Sequence, residues 1–372
     1  MKNYDVAAYV WPAYTGDEPR TRMFWPEGIG EWQTVREMKP RFDGHEWPRK
    51  PLWGYVNEAD PYVMEMQIEA AVSHGVNVFI YDWYWYDDRP FLEHCLNNGF
   101  LKARNCEKMK FCVMWANHPA STAWDKRTAH LNIRIWQYAC GLDSFRTIAS
   151  RIINNYFTKP NYYRINNKPV FQIYDFCCFL RGIGGVENAR RALDMMNEMA
   201  VAAGFDGVYT QVTLRGHTTM DYASCAEFGF DGCVRDAIDL LGIDSVTHYQ
   251  MLADVKQHTP YIDTIPMMTE EWAYCEKNYR AVYYPHVSLG WDPTPRYIPL
   301  RDDIVMDAKP EYIKKALLRA KAYIDSHPTL PAPLVTINSW NEWTETSYLE
   351  PDDLYGYAYL EAVRDVFMGK GN

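Results

Sequence analysis

Two glutamates that lie three residues apart, Glu342 and Glu345, are the strongest candidates for catalysis in this chain of 372 residues. They directly follow a short apolar run and are flanked by Trp340 and Trp343. Two carboxyl groups in different surroundings are what acid/base cleavage of a glycosidic bond requires. The indole rings should partly desolvate the carboxyls and raise the pKa of at least one of them. The pair therefore predicts glycoside hydrolysis; the alternative is that one glutamate is solvated or is a structural partner of Arg296.

Further polar and aromatic side chains follow other apolar runs. Aromatic rings stack on the apolar faces of sugars, and acids or amides bind the hydroxyl groups. The predicted substrate-binding residues are Tyr9, Trp11, Asp82, Trp83, Tyr84, Trp85, Trp115, Asn117, His118, Tyr174, Asp175, Gln211, Trp291, Asp292, Arg296, Trp340, Asn341, Trp343 and Glu350. Asp82 and Asp175 can instead be loop caps, and His118 can instead bond only to backbone. Asp292 and Arg296 can instead form a structural ion pair.

Short apolar, β-branched runs alternate along the chain with longer segments of helical period. The predicted strands cover residues 5–11, 76–82, 111–116, 169–174, 207–212, 230–234, 281–287 and 333–338. The predicted helices cover residues 61–75, 90–103, 144–157, 186–203, 220–228, 246–257, 269–277, 310–324 and 355–367.

This alternation indicates parallel strands with right-handed crossovers, and eight units predict a (β/α)8 barrel whose active site lies at the carboxyl ends of the strands. We expect one catalytic domain over residues 1–372, with a long first loop at about 12–59. An open doubly wound sheet is the alternative, and no Gly-rich nucleotide motif follows the first strand to support it.

Composition excludes several classes of protein. The net charge of -10 disfavours a nucleic-acid partner, and no apolar run is long enough to span a membrane. The first residues lack a secretory signal, so we expect a cytoplasmic protein, or a periplasmic or surface protein if a leader has been removed. No cofactor and no metal is predicted, because neither Cys-x-x-Cys nor His-Glu-x-x-His occurs among the cysteines and histidines. Oligomeric state is not predicted.

The block Ser-Trp-Asn-Glu-Trp-Thr-Glu at 339–345 resembles WbsX-type proteins, which are related to glycoside hydrolase family 99, the endo-acting α-mannosidases and α-mannanases. Further matching stretches lie in order along the chain at 81–85, 112–117, 165–169, 173–174, 290–296, 348–352 and 355–361. The resemblance implies a (β/α)8 barrel and retaining cleavage of an α-linked, mannose-like glycan.

The resemblance also implies roles for the two glutamates. Glu342 would deprotonate the sugar 2-hydroxyl, which attacks the anomeric carbon and forms a 1,2-anhydro sugar. Glu345 would protonate the leaving oxygen and then activate water. His118 and Thr346 stand where the family usually has Glu and Gly, and these departures bear on the substrate more than on the reaction type. The WbsX name itself implies glycosyltransfer in surface-polysaccharide synthesis, and a non-catalytic glycan-binding barrel is a third interpretation.

Overall fold

The centre of the molecule is a curved sheet of parallel strands. The structure is a computed structural model that describes residues 3–138, 140–215, 223–253, 255–256 and 258–369. The strands are β1 (Asp5–Val10), β2 (Val78–Tyr86), β3 (Lys110–Trp115), β4 (Lys168–Ile173), β5 (Tyr209–Leu214), β6 (Ser245–His248), β7 (Val282–Tyr283), β8 (His286–Ser288) and β9 (Leu334–Asn338). Their order is β7-β6-β5-β4-β3-β2-β1-β9-β8, and each neighbouring pair is parallel. The predicted mixed α/β fold with parallel strands is confirmed.

Helices connect these strands. They are α1 (Trp32–Arg36), α2 (Pro61–Ser73), α3 (Gly141–Ile152), α4 (Phe176–Ile183), α5 (Val186–Ala202), α6 (Val234–Leu241), α7 (Tyr261–Asn278), α8 (Pro310–Ser326) and α9 (Ala358–Phe367). Asp60 caps α2 by accepting a hydrogen bond from the backbone N–H of Tyr62, and Pro61 occupies the first turn. Within the described ranges, no helix has the length and apolar character needed to cross a membrane.

Short elements complete the chain. Two short strands, Arg89–Phe91 and Arg164–Ile165, pair antiparallel with β2 and β4. Separate two-stranded pairs are formed by Ala120–Ser121 with Arg134–Trp136, Thr259–Pro260 with Val305–Met306, and Asn341–Glu342 with Ser347–Tyr348. Single π-helical turns lie at Cys95–Gly99 and Ile153–Phe157. The 3-10 turns are Pro19–Met23, Phe100–Lys102, Cys106–Lys108, Thr122–Trp124, Ala129–Leu131, Ala226–Phe228, Thr294–Arg296 and Trp343–Glu345.

The prediction for the sixth strand is wrong. Residues 230–234 do not form a strand and lead instead into α6, while β6 overlaps the start of the predicted helix 246–257. The backbone N–H of Cys233 donates to the Asp236 carboxylate and caps α6. Three of the four buried residues of β6, Ser245, Thr247 and His248, are polar, and the Thr247 hydroxyl lies 2.7 Å from that of Thr336 on β9. Because these side chains hydrogen-bond inside the sheet, β6 lacks the apolar pattern of a strand.

Two predicted helices also differ. Residues 90–103 form a strand end, a π-helical turn and a 3-10 turn rather than one helix. The predicted helix 220–228 begins outside the described residues, and its end, Ala226–Phe228, is a 3-10 turn.

The predicted seventh strand, 281–287, is split into β7 and β8 by Pro285. Proline has no backbone N–H, so it interrupts a ladder of hydrogen bonds. The first piece pairs with β6, and the backbone N–H of Tyr284 extends this pairing to the Val246 carbonyl at 3.0 Å. The second piece pairs with β9, and the Pro285 carbonyl accepts from the N–H of Thr336 at 3.1 Å. Both ends of the sheet path therefore belong to one short chain segment.

Candidate active site

A cavity of about 140 Å3 lies at the carboxyl ends of the parallel strands. Its lining comes from the ends of several strands and from the loops that follow them, as is usual for active sites of parallel α/β proteins. The lining residues are Trp11, Asp82, Tyr84, Met114, Ala116, His118, Trp124, Tyr174, Tyr249, Arg296, Glu342 and Glu345. Eight of these were predicted from the sequence, and Met114, Ala116, Trp124 and Tyr249 were not.

The two glutamates meet at the guanidinium group of Arg296. Its Nη2 donates to Glu342 Oε2 at 3.2 Å, and its Nη1 donates to Glu345 Oε1 at 2.8 Å. Glu342 lies in a short strand and Glu345 ends the following 3-10 turn, so the tight turn directs both side chains into the cavity. Ser339 supports this turn, because its hydroxyl accepts the backbone N–H of Glu342 at 2.7 Å. The structure therefore brings the predicted pair together.

A third carboxylate, Glu31, completes the cluster and was missed by the sequence prediction. It accepts from Arg296 Nε at 2.8 Å and Nη2 at 3.1 Å, and from the indole N–H of Trp11 at 2.5 Å. One guanidinium thus lies among three carboxyl groups, and all three are almost fully buried. Glu31 comes from the long first loop, 265 residues from Arg296 in sequence, and no motif spacing could have connected the two.

Tyr249 joins Glu342 to Asp82. Its hydroxyl lies 2.9 Å from Asp82 Oδ2 and 3.1 Å from Glu342 Oε1. A phenol carries a single hydrogen, so it donates to only one of these oxygens at a time. For both contacts to be hydrogen bonds, one carboxyl group must hold a proton and donate it to the phenol oxygen.

Burial favours the protonated form of the carboxyl groups in this site. It raises the pKa of Asp82 well above its ordinary value; the hydrogen bond from Tyr249 opposes that shift and the charge of Glu345 adds to it. Burial also raises the pKa of Glu342 well above its ordinary value, with a further contribution from the charge of Glu345 and opposition from Arg296. The pKa of Glu345 is raised by burial and held back by Arg296. These shifts favour the protonated forms, so the cluster can hold a proton that one carboxyl group donates and another accepts.

Two carboxyl oxygens in this cluster have no hydrogen-bond partner among the described residues. They are Asp82 Oδ1 and Glu345 Oε2. Their side chains belong to residues that are only 3% and 9% exposed. Buried polar atoms are normally paired, so these two oxygens retain hydrogen-bonding capacity that the described residues do not use.

Aromatic rings form the wall of the cavity. Trp11, Tyr84 and Trp124 contact one another with ring centroids 5.5–5.7 Å apart. His118 packs edge-on against Tyr174, and burial lowers the pKa of His118 to about 4, so its ring is neutral at physiological pH. The cavity is therefore lined both by aromatic rings and by carboxyl groups.

Other predicted residues of β2 and β3 lie outside the lining. Side chains alternate along a strand, so Asp82 and Tyr84 point into the cavity while Trp83 and Trp85 point to the opposite side. The rings of Trp83 and Trp85 stack on each other at 5.7 Å, and the indole N–H of Trp83 donates to Glu93 at 2.7 Å. The Trp115 ring likewise packs toward the helices, 5.7 Å from Phe145 and 6.2 Å from Phe179.

Four predicted residues support the site from beneath or beside it. Tyr9 lies under the cavity and donates its hydroxyl hydrogen to the His248 carbonyl at 3.2 Å. Gln211 lies inside the sheet and accepts from Gln172 at 2.5 Å. Asn117 and Asp175 tie two strand ends together through two hydrogen bonds, and the Asp175 carboxylate caps α4, which is the alternative stated for it above.

The predicted residues that flank the glutamates belong to a buried polar network behind the cavity. Asn341 donates to Glu58 at 3.0 Å, Trp343 donates to Glu350 at 2.6 Å, and Trp340 donates to Gln67 at 3.2 Å. Gln67 in turn donates to both Glu58 and Glu350, at 3.2 and 2.7 Å. These side chains hold the turn that carries Glu342 rather than lining the cavity.

Asp292 and Trp291 lie on the far side of the Glu345 turn. Asp292 pairs with His45 at 2.7 Å, so the alternative in which Asp292 pairs with Arg296 is not what the structure shows. The indole N–H of Trp291 donates to Asp303 at 3.2 Å. Asp292 and His45 line a second, smaller cavity of about 40 Å3.

Comparisons with known proteins agree with this architecture. A family model described as glycosyltransferase WbsX matches residues 6–363. The protein WxcX of Xanthomonas campestris pv. campestris, described as uncharacterised, is 26% identical over 347 residues, which are 93% of this chain and 47% of WxcX. The chain thus spans about half the length of the curated relatives it matches.

Solved structures show the same fold. The GH99 endo-α-mannosidase of Bacteroides thetaiotaomicron superposes with a TM-score of 0.58 at 16% identity, covering 98% of this chain and 96% of that one. A glycoside hydrolase-like protein gives a TM-score of 0.56 at 16% identity, with 99% and 94% covered. At this level of identity the likeness is one of fold.

Proposed function

Since this chain belongs to the family described as glycosyltransferase WbsX, we propose that it is a glycan-active enzyme and that its reaction is the retaining hydrolysis of an α-linked, mannose-like glycan. One observation carries the proposal: Glu342 and Glu345 contact the same guanidinium in one cavity, next to carboxyl oxygens that have no partner among the residues that the structure describes. The fold shared with the GH99 endo-α-mannosidase supports the same reaction class.

The contacts of Glu342 suit a general base. Tyr249 and Arg296 both donate to it, and hydrogen bonds to a carboxylate stabilise its ionised form. Since the single phenol hydrogen then goes to Glu342, Asp82, whose pKa burial raises, is the protonated carboxyl group, and its Oδ2 donates to the Tyr249 oxygen instead of accepting from it. Glu345 is assigned as the general acid because its Oε2 has no hydrogen-bond partner among the described residues and can carry a proton.

The proposed reaction has two steps. Glu342 takes the proton of the sugar 2-hydroxyl, the 2-oxygen attacks the anomeric carbon, and Glu345 protonates the leaving oxygen. Water then opens the 1,2-anhydro sugar as Glu345 takes a proton from it and Glu342 returns a proton to the 2-oxygen. This route suits an axial 2-hydroxyl that is trans to the leaving group, as in α-mannosides.

We propose that the aromatic wall binds the apolar faces of the sugar rings. Trp11, Tyr84, Trp124 and Tyr174 supply ring surface, and Asp82 Oδ1 supplies a partner for a hydroxyl group. The remaining predicted residues then act by positioning these groups, because their observed contacts are with protein atoms.

Glycosyltransfer is the second candidate, and the family description favours it. A nucleotide-sugar donor brings a diphosphate, which needs cationic partners. Among the described residues that line the cavity, Asp82, Glu342 and Glu345 are acidic, and Arg296 is already paired with carboxyl groups. Such surroundings repel a diphosphate, so hydrolysis is the better supported reaction. A protein that only bound glycans would not need this acidic cluster.

We also propose that the curved sheet closes as a (β/α)8 barrel in one domain over residues 1–372. The support is that β7 and β8 form the two ends of the sheet path and are separated only by Tyr284 and Pro285. In this interpretation they are a single strand with one interruption, and eight strands surround the interior.

The test is product release from a panel of α-linked mannose-like oligosaccharides, measured by chromatography for the wild type, Glu342→Gln and Glu345→Gln. Glu361→Gln, an exposed glutamate on α9, is the control. The proposal expects release by the wild type and the control and its loss in both cavity variants. Release that persists in either cavity variant would contradict the assigned pair. Transfer from a nucleotide-sugar donor to an acceptor, without glycan cleavage, would establish the second candidate instead.

A further inference from the structure

A second cluster of reactive side chains lies behind β6, away from the cavity lining. It consists of His248 at the end of β6 and of Glu271 and Cys275, one turn apart on α7. All three residues are buried, and their nitrogen, oxygen and sulfur atoms lie within 4.8 Å of one another. We propose that this cluster binds one zinc-type divalent cation, which fastens α7 to β6 independently of the proposed reaction.

The distances fit a tetrahedral ion. His248 Nε2 lies 3.3 Å from Glu271 Oε1, and Cys275 Sγ lies 3.7 Å from the same oxygen. Tetrahedral zinc, with bonds of about 2.0–2.1 Å to nitrogen and oxygen and about 2.3 Å to sulfur, separates such pairs by about 3.4 and 3.6 Å. Two of the three pair distances thus match those of ligands on one zinc ion, and the third pair, a His248 nitrogen and the Cys275 sulfur, lies within 4.8 Å. Water completes the tetrahedron at the fourth position.

The charges and the donor atoms of the three side chains favour a particular class of metal ion. A thiolate and a carboxylate together carry two negative charges, which match the charge of a dication. The thiol proton of Cys275 leaves to solvent when the ion binds. A thiolate and an imidazole favour zinc or a similar transition metal over magnesium or calcium, which prefer oxygen ligands.

Tyr283 is placed to orient the histidine. Its hydroxyl lies 3.0 Å from His248 Nδ1, on the ring edge opposite the cluster. With an ion on Nε2, the Nδ1–H donates to this hydroxyl, an arrangement typical of metal-bound histidines. Because Tyr249 follows His248 directly, the same ion also fixes the strand end from which the Tyr249 hydroxyl reaches Asp82 and Glu342.

The cluster is hidden in the sequence. Residue 248 falls within a predicted helix, and the spacing from it to Glu271 is 23 residues. The pair Glu271 and Cys275 by itself is an ordinary helical i,i+4 pair.

The experiment measures metal content by mass spectrometry after the untagged protein is unfolded in chelator and refolded with Zn²⁺ or Co²⁺. His248→Gln and Cys275→Ser remove ligands. Cys95→Ser is the matched control, since Cys95 is also buried with its sulfur 3.7 Å from a glutamate oxygen, that of Glu58. The expected result is about one ion per chain and a thiolate-to-cobalt absorption band in the wild type and in Cys95→Ser, with both lost in the ligand variants.

A second measurement guards against variants that fail to fold. Zinc should move the denaturation midpoint of the refolded wild type to higher denaturant and leave that of His248→Gln unchanged. Refolded wild type without stoichiometric metal would overturn the proposal. So would a cobalt spectrum without a thiolate band, or metal retained by both ligand variants.

Discussion

The hydroxyl of Tyr249 provides the sharpest test of the proposed chemistry. Tyr249→Phe removes one oxygen atom and keeps the ring that packs 4.8 Å from Tyr9 and 5.1 Å from Tyr174. The change therefore deletes the contacts to Asp82 Oδ2 and Glu342 Oε1 with little effect on the shape of the cavity. Any loss of activity is then a loss of hydrogen bonding.

The magnitude follows from the type of bond. A hydrogen bond to a charged group contributes about 1.5–3 kcal/mol, which corresponds to a fall of about 10- to 150-fold in kcat/KM. The variant also leaves Glu342 with Arg296 as its remaining donor of those described, which raises the pKa of Glu342 further. A base must be ionised to act, so the acidic limb of the pH profile should move to higher pH.

The assay is kcat/KM against pH on a glycan that the wild type cleaves. Tyr261→Phe is the control: its buried hydroxyl donates to the Ser288 carbonyl at 2.7 Å, outside the cavity lining. The control should lose stability but keep both the rate and the pH profile. If Tyr249→Phe keeps kcat/KM within twofold and its acidic limb does not move, Tyr249 does not act on Glu342 and the role assigned here is wrong.

Three further perturbations test the site and its support. A substrate without the 2-hydroxyl should bind but not turn over if Glu342 acts through that group, and normal hydrolysis of it would indicate direct attack by a carboxylate. Arg296→Met leaves three buried carboxyl groups without their cation, so the free energy of unfolding in urea at neutral pH should fall by about 3–5 kcal/mol; an unchanged value would show that the cluster is already neutral. Burial raises the pKa of Glu58 to about 7, so its contribution to stability is present in acid and lost as the pH rises through about 7. The drop in unfolding free energy between about pH 5 and 8 should therefore be smaller in Glu58→Gln than in the wild type, and equal drops would contradict the raised pKa.

The catalytic candidates could be read from the sequence because they are local. Glu342 and Glu345 follow a strongly apolar strand and stand three residues apart, and one tight turn is enough to bring them to the same guanidinium. The alternation of parallel strands with helices could be predicted for the same reason, since most strands are apolar on both faces. Trp11, Asp82 and Tyr84 could then be predicted as site residues, because residues at the carboxyl ends of parallel strands share one edge of the sheet.

Residues whose roles depend on distant partners could not be found in this way. Glu31 reaches Arg296 from a loop 265 residues away, and only the folded chain brings the two charges together. The sequence also did not determine on which face of the sheet a side chain lies. Trp83 lies next to Asp82 in sequence, yet alternation along β2 turns its ring away from the cavity.

The sequence by itself determined the family and the parallel α/β architecture and predicted the candidate pair of glutamates, because each rests on local patterns of apolar, acidic and aromatic residues. Only the tertiary structure decided which side chains surround that pair. The clearest case is β6, where the buried hydroxyl of Thr247 has its partner in Thr336 of β9, so most of the strand lacks an apolar pattern. The misplacement of that strand concealed both Tyr249 in the cavity and His248 behind it, because neither residue has a role until its neighbours from other strands and helices are in place.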